Sequence, residues 1–127
     1  MATVTYQLMQ KPPEQRIIDA ACIYWEVERT YFSKVGGKEE STVFYRKSII
    51  YYLIKHNTTY SYKEIAGLFG FVSHAAVLKA VDGVDAQKKV LKQVSNDLNQ
   101  ILFIADKLDA DFITTEVKLI NNKILKS

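Results

Sequence analysis

The 127-residue chain has one cysteine, Cys22, and only two histidines, His56 and His74. A single thiol excludes an internal disulfide and makes a reducing compartment the expected one. No Cys/His set has metal-ligand spacing, so no metal is expected. No run of about 18 apolar residues occurs, so no membrane span is expected. Residues 1–10 lack a cationic start followed by an apolar stretch, so no signal peptide is expected either. The expected location is the cytoplasm. The phosphate-cradling loop Gly-x-x-x-x-Gly-Lys-Ser/Thr is missing, and with it the expectation of a bound nucleotide or other cofactor. No nucleophile–base–acid set is recognisable, so an enzyme is not expected. Internal repeats, low-complexity tracts and long period-two alternation are also missing, and the last of these argues against strands.

What is present is an ordinary globular composition, 48% hydrophobic and 24% charged. It can build one core, and the length fits one domain. A formal net charge of +3 permits a polyanionic partner without requiring one.

The apolar spacing predicts helices throughout. Pro12 and Pro13 set up a first helix, with Glu14 in its first turn. Ile18, Ala21, Cys22 and Trp25 carry it on towards Phe32 at the furthest. Cys22 lies on the apolar face and reads as a small buried hydrophobe. Gly36-Gly37 and Lys38–Ser41 form a loop. A second helix is predicted over Thr42–Asn57, with Val43, Ile50, Leu53 and Ile54 inward. Ser61-x-x-Glu64 is a capping box that starts a short third helix, ending at Phe69 before Gly70. Ser73 caps a fourth, which carries Val77, Leu78 and Val81 inward and ends near Gly83. From Asp85 a single long helix is expected. Its seam of Leu91, Val94, Leu98, Ile101, Ala105 and Leu108 is heptad-like, and either packs within the domain or forms a homodimer. The predicted organisation is an arm (1–12), an all-α domain (13–108) and a helical extension (109–127), the last resting on Ile113, Val117, Ile120 and Ile124.

Ser61 to Val81 has the parts of a helix-turn-helix. The first helix is short enough to lie across a phosphate backbone. Ala66 permits close approach, and Gly70 serves the turn. The second helix has one apolar face for the core, leaving Ser73, His74, Ala75, Ala76 and Lys79 near its free end or face. A plain helical hairpin fits the spacing equally well.

The stretch Ser-Tyr-Lys-Glu-Ile-Ala-Gly-Leu-Phe-Gly (61–70), followed by Phe-Val-Ser-His-Ala-Ala-Val-Leu-Lys-Ala (71–80), resembles the C-terminal DNA-binding domain of the bacterial replication initiator DnaA. The resemblance runs without gaps from about Tyr45 to Val84, and more weakly from Ile17. It implies a helix-turn-helix with double-stranded DNA as partner. It places Val72, Ser73, His74, Ala75 and Ala76 at the base-reading positions, with Tyr62 and Lys55 at positions of DNA contact. His74 is kept. Val72 stands where the family has arginine, Ser73 where it has aspartate, and Ala75 and Ala76 where it has threonines. Lys47 matches an arginine, and Lys79 replaces a later histidine. Arg46, Lys47, Lys55, Lys63 and Lys79 are the phosphate-facing candidates. Losing an arginine–guanine contact removes about 1–3 kcal/mol of discrimination, so looser or altered specificity is implied.

Two functions are expected to compete. One is a stand-alone DNA-binding protein, of a phage or mobile element, serving as replication accessory or transcriptional regulator without the initiator's ATPase. The other is a protein-interaction or oligomerisation module on a scaffold that has stopped reading DNA, with Leu91–Leu108 and the extension as working surface.

Overall fold

A computed structural model describes residues 12–33, 41–70 and 72–110. The predicted arm, the Gly36-Gly37 loop and the extension beyond 110 lie outside the described residues. Within them the fold is all-α. Helix α1 spans Pro13–Trp25 and a 3-10 turn spans Arg29–Ser33. Helices α2 (Ser41–Asn57), α3 (Tyr62–Phe69), α4 (His74–Gln87) and α5 (Lys92–Ala110) follow.

The α1 start is as the prolines dictate. Pro13 occupies the first turn, where a missing N–H costs nothing, and the Pro12 carbonyl accepts from the Gln15 and Arg16 amides. The end falls earlier than the apolar spacing predicts. Glu26 adopts φ 55°, ψ 51°, its amide donates to Ile23, and the Val27 amide donates to the Cys22 carbonyl. That is a Schellman stop built without glycine, so no residue in the sequence announces it. The chain then turns into the 3-10 segment, which delivers Phe32 to the core.

Helix α2 is the centre of the bundle and packs against α1, α3, α4 and α5. Every residue from Lys47 to Ile54 is buried. A helix enclosed on all sides has no solvent stripe along that stretch. Ser48 accordingly satisfies its hydroxyl on its own helix, donating to the Phe44 carbonyl at 2.8 Å.

The long helix expected from Asp85 is two helices. Helix α4 runs past Gly83 to Gln87, and Lys88–Val90 form a turn before α5. The Lys88 amide closes on Val84, and the Leu91 amide on Gln87. The physical reason lies in the two apolar stripes. At 100° per residue, the buried residues of Val77–Val84 and of Val94–Ala105 would point roughly 95° apart on one straight helix. The break brings both to the core. Val94, Leu98, Ile101, Ile104 and Ala105 are buried, and α5 lies along α1. The seam is thus occupied within the domain. Leu91, its expected first member, sits outside the helix and is exposed.

Gly83 is an exposed interior position of α4, and a Cβ built on it meets nothing within 4 Å. Gly83→Ala is expected to raise stability by about 0.8–1 kcal/mol, because glycine carries that much excess backbone entropy into a helix. Thermal melts of both proteins check this; an unchanged or lower midpoint refutes it.

Candidate nucleic-acid interface

Helices α3 and α4 turn through 105° about the residues joining them, within the range of helix-turn-helix pairs. Helix α3 is fixed at both ends. Ser61 Oγ accepts from the Glu64 amide at 3.1 Å, and the Ser61 amide donates to Glu64 Oε1 at 2.9 Å, completing the predicted capping box. These bonds hold the Glu64 carboxyl below its usual range. At the other end of α3 the Gly70 amide donates to Ala66. Gly70 then takes φ 63°, ψ 153°, a region that residues with a Cβ rarely adopt. Phe69 stacks edge-on against Tyr51 of α2 at 5.0 Å between ring centroids. Ile65 and Ala66 of α3, with Val77, Ala80, Val81 and Val84 of α4, are buried beneath the turn.

That packing leaves Lys63, Ser73, His74, Ala75, Ala76 and Lys79 exposed around one unit. Ser73 is the N-cap of α4; its Oγ accepts from the Ala76 amide at 3.1 Å, so the hydroxyl is partly committed before any ligand arrives. Tyr62 is half-buried, and Lys55 Nζ lies 4.6 Å from its ring centroid while donating to the Tyr60 carbonyl at 3.4 Å. The cation and the aromatic ring form one ledge beside the start of α3.

Four expected roles change. Lys47 is 3% exposed in the middle of α2 and cannot face a phosphate. Arg46 is stacked at home: its guanidinium lies 5.2 Å from the Trp25 ring and 5.5 Å from the Tyr31 ring, and Nη1 donates to the Tyr31 hydroxyl. Val72 is half-buried and packs against the core, so it supports the turn as much as it offers itself to a ligand. Leu78, expected inward, is 39% exposed; Ala80 and Val84 complete the buried face instead.

Cys22 is half-buried, and burial, with Asp19 adding to it, pushes its thiol up to about 11. Among the described residues no group of three His, Cys, Asp or Glu side chains could hold a metal ion, and no single helix is long and apolar enough to cross a membrane.

No protein-family model, curated protein or solved structure matches this chain.

The electrostatics of the unit are mixed. From Ser61 to Gln87, Lys63 and Lys79 are offset by Glu64, Asp82 and Asp85. Further positive charge comes from the flanks, Lys55 on one side and Lys88, Lys89 and Lys92 on the other. Lys88 is drawn inward: Nζ donates to the Tyr52 hydroxyl at 2.5 Å and lies 3.4 Å from Asp85, and the tyrosine bond raises its pKa.

Two buried carboxylates hold the scaffold, and the spacing did not single out the first of them. Asp97 of α5 is 3% exposed and accepts from the hydroxyls of Tyr24 (2.7 Å) and Tyr45 (2.6 Å), tying α5 to α1 and α2. Burial, then the bond to Asp97, pushes the Tyr24 phenol up to about 12, and Tyr45 moves in the same direction. Glu14 is also buried and accepts from the Tyr60 hydroxyl at 3.1 Å, fastening α1 to the segment before α3. A sequence signal for Asp97 existed. It stands three residues after Val94 and four before Ile101, inside the apolar stripe.

Proposed function

We propose that this chain binds double-stranded DNA through α3 and α4, with tolerant or altered sequence specificity, as a replication accessory or transcriptional regulator. The observation that carries the reading is the 105° helix pair with a capped, exposed second helix whose N-terminal turn bears His74 and whose second turn bears Lys79. The likeness of residues 61–80 to the initiator's DNA-binding domain supports the same surface. The small number of cations on the unit supports modest affinity.

A protein-interaction role is the competing reading. It is favoured by Phe103, 58% exposed on the outer side of α5, and by Val90 and Leu91 exposed in the preceding turn.

A salt titration of binding to mixed-sequence duplex DNA separates the two. If Lys55, Lys63 and Lys79 each neutralise one phosphate, log K should fall against log salt with a slope of about −2.7. That corresponds to about a 40-fold loss of affinity between 50 and 200 mM salt. No detectable binding at low salt refutes the DNA reading and leaves the interaction reading standing.

A further inference from the structure

The exposed side of α4 is unusual for a surface meant to touch base edges. The buried face is complete without Leu78, since Val77, Ala80, Val81 and Val84 recur three and four residues apart and are all buried. Leu78 projects instead from the side shared by His74, one turn before it, and Ala75, three residues before it. Among the described residues of the α3–α4 unit it is the one large hydrophobic side chain that is exposed. Around it the polar groups able to read a base are few. His74 and Lys79 are exposed, Ser73 is occupied as a cap, and Ala75 and Ala76 carry no polar atom.

The major groove offers one apolar feature, the 5-methyl group of thymine. A helix poor in hydrogen-bonding side chains but carrying an exposed leucine beside alanines is matched to that feature rather than to guanine or cytosine edges. Resting on the DNA-binding reading, we infer that Leu78 is a specificity-determining residue: it contacts thymine methyl groups in the major groove, and selection among sites follows thymine placement.

Leu78 gains from this contact by burial. It exchanges water for a methyl surface, and the buried face of the helix is complete without it. One lost methyl contact corresponds to about three- to fivefold in affinity. Asp82, on the next turn of the same side, adds a second restriction, because its carboxylate repels phosphate and disfavours deep insertion of the helix beyond its first two turns.

The test compares random-sequence duplexes synthesised with thymidine against the same pool synthesised with deoxyuridine, which removes the methyl and keeps every hydrogen-bonding group. The wild-type chain is expected to bind the thymidine pool about three- to fivefold more tightly for each methyl engaged. Leu78→Ala is expected to bind the two pools equally, with an unchanged circular dichroism spectrum. Wild-type binding that is detectable but equal for the two pools overturns the inference while the DNA reading stands. Thymidine preference that survives in Leu78→Ala overturns the assignment to Leu78. Failure to bind either pool at low salt refutes the underlying DNA reading instead.

Discussion

Asp97→Ala is expected to cost about 3 kcal/mol of stability, because it removes a buried acceptor from two tyrosine hydroxyls at once. Each bond to a charged acceptor contributes more than a neutral one, and truncation leaves both donors without it. The damage also spreads across three helices, since Tyr24 belongs to α1, Tyr45 to α2 and Asp97 to α5. Asp97→Asn keeps one acceptor oxygen and should lose about half as much. Urea denaturation followed by circular dichroism measures all three proteins. A variant Asp97→Ala that unfolds within about 0.5 kcal/mol of the parent would show the carboxylate to be dispensable.

The same cluster fixes the sign of an alkaline effect. The Tyr24 phenol ionises at about 12 in the folded chain and near its ordinary value, about 10, in the unfolded one. Its raised value stabilises the fold fully below the unfolded pKa. Between about 10 and 12 the unfolded chain loses the proton that the folded chain retains, so stability falls as pH rises through that window. Tyr45, shifted in the same direction, steepens the fall. Tyr24→Phe should flatten it.

The second large effect concerns binding. Lys63→Glu with Lys79→Glu is expected to lower affinity for mixed-sequence DNA by about 100-fold or more at 50 mM salt, since two phosphate attractions become repulsions. Both side chains are exposed, so the melting midpoint should be nearly unchanged. Lys63→Arg with Lys79→Arg should retain binding, because phosphate contact asks for charge before shape. Unchanged affinity in the charge-reversed protein would move the DNA-facing surface elsewhere on the domain.

Much of the fold was legible because its start signals are local. The Pro12-Pro13 entry, the Ser61–Glu64 box, the Ser73 cap and the positive-φ Gly70 each follow from one or two residues and their backbone needs. Helix ends were harder. Glu26 closes α1 through backbone bonds that any residue tolerating φ 55° can form, and the α4–α5 turn contains neither glycine nor proline. That turn was readable only from the phase difference between two apolar stripes. The candidate interface divided along similar lines. The exposure of Ala75, Ala76 and Lys79 follows from the helical period once Val77 and Val81 point inward; His74 shares the phase of Val81 and is exposed as the first residue of the helix. Lys47 did not, because its burial depends on α2 being surrounded, a property of the assembled bundle. Leu78 fits the apolar spacing beside Val77 and Val81, but it stands about 100° from Val77 on the helix and falls outside the buried face.

The half-buried Cys22 has a practical corollary. With burial pushing its thiol up to about 11, little of it is thiolate at pH 7. Electrophilic dyes that react through the thiolate will modify it slowly. An exposed cysteine introduced on α4, such as Ala75→Cys, would ionise far more readily and take up a fluorophore first. The native thiol can therefore be left in place, and a probe put directly on the surface proposed to meet DNA.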